Sequence, residues 1–356
     1  MLDPKKWLIE LMPDKISKSL SLNDEIKNYF GEKVANLILE EAEQVLLKPA
    51  NDILGRSSKE FRAKLVEVGF SLIAEKNSLK VDEIINKNLI LMKGCVEMLH
   101  AGSLVIDDIM DGSEERRGDK TIHLKYDVNT AICSGNWLHF WPFRLVSFTN
   151  LKDKQKSIAY DLVSRTIELC YVGQSLDTSI KIKDIEYKKI KDLCISIMDL
   201  KTGTLTGLSM ALGALVAGAS KKEVNAIYEF GRYFGLALQY YDDLGNIRAK
   251  NEPSKRLEDV KQMKAGGVLA LVYKFYGKTG YKELVKISKS LNDNSLSDSE
   301  AIAWFDNLDF ESKYRAFVKD LVEKESSKLL SKVKIERSSE SFKKIELLLI
   351  KLSEAY

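Results

Sequence analysis

Apolar residues recur at three- and four-residue spacing in window after window of the chain, and the period-two alternation of a half-buried strand is hard to find. In "ANLILEEAEQVL" (residues 35–46) a helical wheel gathers Ala35, Ile38, Leu39, Ala42, Val45 and Leu46 on one face. Glu40, Glu41, Glu43 and Gln44 fall outside it, with Leu37 the exception. In "EVNAIYEFGRYFGLALQYY" (residues 223–241) the second half is apolar almost all round, which predicts a helix in the middle of a bundle. Breaks fall near Asn51–Ser58, Gly112–Asp119, Asn150–Lys154, Thr178–Asp184, Ala219–Lys221, Lys250–Ser254 and Asn292–Asp298. Only five prolines occur in 356 residues, and no low-complexity linker divides them. The pattern predicts a single all-α domain over residues 1–356, a bundle of roughly ten or more helices.

Composition narrows this picture only a little. Apolar residues make up 45% of the chain, enough for a sizeable core, and the 55 Lys+Arg nearly balance the 52 Asp+Glu. A net charge of +3 argues against wholesale nucleic-acid binding, and the Lys-rich C-terminal third interleaves its acids as a solvated helical surface does. Cys95, Cys133, Cys170 and Cys194 form no C-x-x-C pair and complete no four-ligand Cys/His set; they read as reduced core residues of a cytoplasmic protein. The opening "MLDPKKWLIELMPDK" carries charges throughout, so no signal peptide is expected. No run approaches the ~18 uncharged apolar residues of a membrane span, so none is expected.

Two stretches change the picture. "SLVIDDIMDGSEERRG" (residues 103–118) and "GLALQYYDDLGN" (residues 235–246) each end an apolar helix in Asp-Asp, with a polar residue four positions after the first acid. On a helix Asp107 and Asp111 share a face, with Asp108 beside them, and like charges at that spacing are unfavourable. A solvated helix end is the plain alternative. Acids near a helix C-terminus also oppose the macrodipole, and the repetition at Asp242, Asp243 and Asn246 weakens that alternative further. A cation reverses the sign of the repulsion. Oxygen ligands without His or thiolate point to Mg²⁺, which keeps waters and completes its shell with substrate phosphate oxygens. Arg116 and Arg117 offer forked donors suited to phosphate, and Lys59, Arg62, Lys201 and Lys255 add further positive charge. Together these suggest a diphosphate site bridged by metal. There is no Walker-type nucleotide loop and no recognisable Ser, Cys or His nucleophile motif.

These residues resemble the trans-isoprenyl diphosphate synthases, the polyprenyl synthetase family. "EMLHAGSLVIDDIMDGSEERRG" is similar to that family's first aspartate-rich motif with its Arg-Arg-Gly, and "FGLALQYYDDLGNI" to its second. "YVGQSLD" is similar to the Gln-Asp segment between them, and "DLKTGTLTGLSMALGALVAG" to its Lys-Thr helix. Order and spacing agree over residues 53–264, with residues 265–356 left as C-terminal helices. The resemblance implies an all-α, isoprenoid-synthase-type helical bundle around a deep central cavity, usually a homodimer, with the two acidic motifs facing each other across the cavity mouth. It implies three Mg²⁺ ions per active site, with Mn²⁺ as a substitute. Their ligands would be Asp107, Asp108, Asp111, Asp242, the more peripheral Asp243, and Asn246.

Carried over residue by residue, Arg116, Lys201 and Lys255 would contact the diphosphate of an allylic substrate. Lys59, Arg62, His100 and Arg117 would hold isopentenyl diphosphate, and Thr202 and Gln239 would line the reaction zone. A lone His on an apolar helix is usually a satisfied core residue, but the position of His100 seven residues before Asp107 matches a ligand of the family. The implied chemistry is ionisation of the allylic C–O bond, attack by the second alkene, and loss of a proton, giving a product five carbons longer. Gly102 and Ser103, small residues one turn before Asp107, imply an open floor and a product of C20 or longer.

Several positions depart from the family's pattern. Asn246 replaces the usual Asp, "SSKEFR" at 57–62 replaces G-G-K-R-x-R, Gly135-Asn136 replaces Gly-Asp, and "KAGGV" from Lys264 replaces Lys-x-Thr-Leu-Pro. The first two leave open a class I terpene cyclase or irregular coupling enzyme on the same scaffold. A regulatory subunit paired with an active synthase would be expected to lose the aspartates that are all present here.

Overall fold

Helix follows helix along the chain in a computed structural model that describes residues 21–58, 60–249 and 256–355. In order they are α1 (Ser21–Phe30), α2 (Glu32–Ala42), α3 (Lys48–Gly55), α4 (Phe61–Lys76) and α5 (Glu83–Met110). A two-stranded hairpin, β1 (Glu115–Arg116) and β2 (Asp119–Lys120), precedes α6 (Ile122–Lys125), α7 (Val128–Ser147) and α8 (Asp153–Ser179). Then come α9 (Tyr187–Met198), α10 (Thr204–Val216), α11 (Lys221–Arg248) and α12 (Glu258–Gln262). The C-terminal run is α13 (Gly267–Asn292), α14 (Asp298–Asn307), α15 (Phe310–Val333) and α16 (Glu340–Ala355). The all-α architecture is the one the apolar spacing predicts; the short hairpin falls at one of the expected breaks.

The chain divides into two compact units, neither of them one contiguous stretch. The first takes in the chain up to Glu67, Lys80–Ile167 and Leu215–Ala217; the second takes in Val68–Leu79, Glu168–Ala214 and Gly218–Tyr356.

In the first unit α5 and α7 pack along their length. Asp82 starts α5 by accepting from the Ile85 N–H at 2.8 Å, satisfying one of the donors a helix start leaves open. The crossing is close because both helices carry glycine at it. A Cβ on Gly102 would stand 2.6 Å from the Gly135 carbonyl oxygen and 3.1 Å from the His139 ring. By length and composition α5 is apolar enough to cross a membrane, although Lys93 and Glu97 interrupt its apolar run, and 67% of its most apolar window is buried within the protein. The helix before α3 shows a second departure. Residues Glu43–Leu47 wind as a π-helix, which breaks the α register and turns Val45 outward, 54% exposed, off the face assigned to it. Ala35 is buried as expected.

In the second unit α11 packs against α15, and α9 against α13. A capping box of Ser220 and Glu223 opens α11. Its second half is buried nearly all round, as the pattern predicts: Phe234, Leu236, Ala237, Tyr240, Tyr241 and Leu244 all lie inside. Tyr240 meets Tyr314 edge to face at 5.7 Å and Phe317 at 5.6 Å. Each such ring contributes roughly 1.5–3 kcal/mol on burial, so the last turns of α11 are anchored before any ligand arrives. Cys95 and Cys194 are buried and unpaired as disulfides, but Cys133 is exposed, not a core residue.

Candidate active site

In the first unit the last turn of α5 presents its acids in graded exposure. Asp107 is half-buried, Asp108 is 1% exposed and Asp111 is exposed at the helix C-cap. The hairpin folds back on this end. Glu115 pairs with Lys120 and Arg116 with Asp119, so Arg117 and Gly118 are the two turn residues. Their φ values of +54° and +77° are the left-handed pair that a tight two-residue hairpin turn requires. This accounts physically for Arg-Arg-Gly: the glycine permits the turn, and the turn separates the two guanidinium groups. Arg116 donates from Nε to Asp108 Oδ1 at 2.8 Å, and its second donor reaches the same oxygen. Burial raises the Asp108 carboxyl above its ordinary range, against the pull of Arg116. Asp108 Oδ2 is buried with no hydrogen-bond partner among the described residues.

Behind the hairpin stand groups that the sequence did not single out. Arg56, 8% exposed, donates to Asp52 Oδ1 at 2.8 Å and to the Arg116 carbonyl at 2.8 Å. Asp52 in turn accepts from the Tyr126 hydroxyl at 3.1 Å and pairs with Lys125 at 2.8 Å. Glu97 is buried on α5; its Oε1 accepts from the Ala63 N–H at 3.2 Å, close to the start of α4 where Arg62 sits. Burial raises the Glu97 carboxyl, and the charges of Arg62 and Arg117 oppose that rise. His100, one turn further along, is driven well below the ordinary imidazole range, first by burial and then by Arg62, Arg117 and Arg116. It is therefore neutral at pH 7. Arg62, His100, Arg116 and Arg117 thus share one electrostatic neighbourhood in which Glu97 is the buried counter-charge. Lys59 lies outside the described residues.

The two positions expected to set product length lie in different surroundings. Gly102 is buried against α7, where Gly135 and His139 occupy the place a side chain would take, so it borders packed protein. Ser103 is exposed, its hydroxyl donating to the His100 carbonyl at 2.9 Å.

In the second unit, Lys201 and Thr202 sit on a π-helical turn, Asp199–Gly203, between α9 and α10. Such turns bulge the backbone and re-aim its side chains. Two contacts shape it. Arg232 Nε holds Asp199 Oδ1 at 3.1 Å, and Gly203 packs so tightly that a Cβ would lie 3.1 Å from the Arg232 carbonyl oxygen. Lys201 forms an ion pair with Asp177. The Thr202 hydroxyl donates to Gln239 Oε1 at 3.0 Å. Gln239 Nε2 donates to Asp243 Oδ1 at 2.7 Å, and the Gly267 N–H donates to Asp243 Oδ2 at 2.6 Å. Both oxygens of Asp243 are therefore taken up by the protein. Asp242 is half-buried, and Asn246 Nδ2 donates to Asp259 Oδ2 at 3.1 Å. Burial raises both Asp243 and Asp259, Asp259 adding to the effect on Asp243. Lys255 lies outside the described residues.

Could these acids hold a metal? Among the described residues no three His, Cys, Asp or Glu side chains converge into a closed cage. The donors are carboxylates throughout, and Asp108 keeps a buried oxygen without a partner. An all-oxygen, incomplete donor set fits Mg²⁺, whose remaining positions go to water and phosphate oxygens. In the first unit the carboxylates of this chemistry are Asp107 and Asp111 on α5, with Asp108 Oδ2 behind them; in the second it is Asp242 on α11.

An all-α fold with Asp-Asp near the ends of two apolar helices, one of them backed by an Arg-Arg-Gly hairpin, is what the family resemblance implies. Comparison with known proteins agrees. The polyprenyl synthetase family profile matches residues 43–301, and the chain belongs to that family. It is 31% identical over 216 residues to a geranylgeranyl diphosphate synthase of Sulfolobus acidocaldarius, a match covering 58% of this chain and 62% of that synthase's length. The fold is shared with geranylgeranyl pyrophosphate synthetase from Pyrococcus horikoshii Ot3, with a TM-score of 0.70, 21% identity, and 98% and 99% of the two chains covered. It is shared too with the Corynebacterium glutamicum geranylgeranyl pyrophosphate synthase complexed with isoprenyl diphosphate and magnesium, with a TM-score of 0.68, 18% identity and both chains covered in full.

Proposed function

We propose that this protein is a trans-prenyltransferase that condenses an allylic diphosphate with isopentenyl diphosphate and releases a prenyl diphosphate of C20 or longer. The observation that carries the reading is the end of α5: a half-buried and an exposed carboxylate one turn apart, with Arg116 fixed beside them by a hairpin that Arg56 anchors. Family membership and the geranylgeranyl synthase relative support the same reaction class. The magnesium and isoprenyl diphosphate bound by the Corynebacterium relative support the ligand class. Three Mg²⁺ ions per site, substitution by Mn²⁺, a homodimer and a cytoplasmic location complete the proposal.

Each residue then has a task. Asp107, Asp111 and Asp242 hold Mg²⁺. Bound Mg²⁺ supplies Lewis acidity to the leaving diphosphate. Arg116 and Lys201 lie beside carboxylates in their resting pairs and bring positive charge to an allylic diphosphate; Lys255 joins them. Lys59, Arg62 and Arg117, with neutral His100, hold isopentenyl diphosphate, and Glu97 keeps the two arginines from repelling each other apart. Ser103, exposed where Gly102 is not, is the small residue past which a growing chain can extend.

Purified protein incubated with each allylic diphosphate in Mg²⁺, with and without isopentenyl diphosphate, tests the reading. Elongated diphosphates that require isopentenyl diphosphate are the expected result. Hydrocarbon released from an allylic diphosphate alone identifies a cyclase. S103F is expected to shorten the product, and an unchanged length distribution removes Ser103 from the chain path.

A further inference from the structure

We infer that Asp243 is a positioning residue: tied to the N-terminus of α13, it fixes the amide of Gln239, which in turn fixes the direction of the Thr202 hydroxyl. The inference rests on the reaction proposed above and departs from the ligand role that the motif itself suggests for this aspartate.

The geometry runs in one direction only. Asp243 accepts from the Gly267 N–H at one oxygen and from Gln239 Nε2 at the other, so Gln239 turns its NH₂ toward Asp243 and its carbonyl toward Thr202. Thr202 accordingly spends its proton on Gln239. Its lone pairs are left for positive charge developing beside it, an orientation set before substrate binds. The other oxygen of Asp243 fixes the far end of the relay. It receives the N–H of Gly267, the first residue of a helix that runs unbroken to a kink at Gly277, where the backbone donors are open and the macrodipole favours an anion.

The chain's own sequence is fitted to this contact. Gly266 and Gly267 belong to the "KAGGV" segment that departs from the family's pattern. A Cβ on Gly266 would stand 2.7 Å from Asp243 Oδ2, and one on Gly267 would overlap the Tyr314 hydroxyl and lie 2.6 Å from the Tyr240 ring. Only two glycines let this backbone come up to the carboxylate. Asp243 is 5% exposed and Gly267 is buried, so the contact is built into the protein and not offered to solvent.

Four forms of the enzyme decide it: wild type, D243N, Q239E and the double D243N/Q239E. In D243N the new amide keeps its oxygen on the Gly267 N–H and gives its NH₂ to Gln239. Gln239 then flips and Thr202 must accept, its proton turned outward. The Gly267 N–H and both ends of the Gln239 amide stay paired, so the thermal midpoint stays near wild type while kcat falls by about 10–100-fold. The KM for the allylic diphosphate and the Mg²⁺ concentration giving half-maximal rate hold. Q239E alone sets two carboxylates at hydrogen-bond distance and lowers the midpoint. In the double variant the amide introduced at position 243 donates to the carboxylate introduced at position 239. Thr202 donates to that carboxylate as it did to the wild-type amide oxygen, and the net charge is unchanged. Its kcat returns to within about 5-fold of wild type.

A D243N enzyme that needs about tenfold more Mg²⁺ and is not rescued by Q239E overturns the relay and makes Asp243 a metal ligand. A double variant that unfolds, or is no better than the worse single, overturns it too. If wild type elongates no allylic diphosphate, the functional reading falls and the relay is judged on midpoints alone. Recovery of the Q239E loss by D243N supports it, and additive losses overturn it.

Discussion

The two acidic helix ends are alike in sequence and differ in how the protein supports them. Each closes a 28-residue helix, and in each the first aspartate is half-buried and the second buried. At the end of α5 the buried acid, Asp108, is held by a cation, Arg116, whose own backbone hangs on a second cation, Arg56. At the end of α11 the buried acid, Asp243, is held by neutral donors, the Gly267 N–H and the Gln239 amide. The same dipeptide is thus embedded once in charge and once in a directional hydrogen-bond network. Repetition in a sequence marks two helix ends as alike; it does not tell what fixes their side chains there.

If charge is what supports the first end, removing Arg116 has the largest consequence. R116A leaves Asp108, 1% exposed, as a buried carboxylate without its counter-ion. Breaking a buried pair costs about 3–5 kcal/mol, and since the Arg116 side chain is 30% exposed the expected loss is nearer 2–3 kcal/mol. Turnover is expected to fall by about 10²–10³-fold, because the same guanidinium serves the diphosphate. Urea titration and steady-state turnover check both numbers. R116K keeps the charge without the fork, so an R116K enzyme as good as wild type would show that geometry matters little at this end.

Arg56 comes next. It touches no proposed ligand, yet R56A is expected to lower turnover by about 10–100-fold and stability by about 2 kcal/mol, since the hairpin loses its anchor. Hydrogen exchange over residues 115–120 should quicken in this variant. Unchanged exchange there would mean that the turn holds itself.

How much of this was legible beforehand follows from the kind of information each residue carries. The helices were, because apolar spacing is local: residues 223–241 read as a central helix and are one. The placement of Asp107 and Asp111 one turn apart at a helix end was, because that spacing is local too. Arg56, Asp52 and Glu97 were not: the hairpin carbonyl that Arg56 holds lies 60 positions away and the N–H that Glu97 holds lies 34 away, and a buried charge looks like any surface charge in a sequence. Gly102 misled for a related reason. A small residue reads as empty space, yet here α7 fills that space. Val45 misled because a π-helical turn has no signature in the apolar pattern.

A pH effect separates the two ends next. All three histidines of the chain, His100, His123 and His139, belong to the first unit. Burial pushes His139 down to about 4, against one backbone hydrogen bond, and His100 is lowered as well. A histidine with a depressed folded pKa binds its proton more readily unfolded, so stability present above about 6.5 is lost as pH falls from there toward 4. The loss expected from His139 is about 1–2 kcal/mol by pH 5. Hydrogen exchange of α5 and α7 should rise on acidification before that of α11 and α15. H139Q should flatten the acid limb of the stability curve, and a limb of unchanged slope would place the titrating group elsewhere.

The smallest effect expected comes from making the two ends alike. In the first motif the third polar residue is Asp111; in the second it is Asn246, whose NH₂ donates to Asp259 at 3.1 Å. N246D sets one carboxylate against another where a hydrogen bond stood, and Asp259 is already raised by burial. In chelator the variant should lose about 1 kcal/mol, read as a lowered thermal midpoint. Adding Mg²⁺ should recover that loss and stabilise the variant more than wild type, because the new acid adds a ligand as well as a repulsion. The sign of the Mg²⁺ response carries the conclusion. A variant that stays destabilised at saturating Mg²⁺ would mean that no cation reaches this end of α11. Asn246 would then serve only to neutralise Asp259, and the metal chemistry would rest on Asp107 and Asp111 alone.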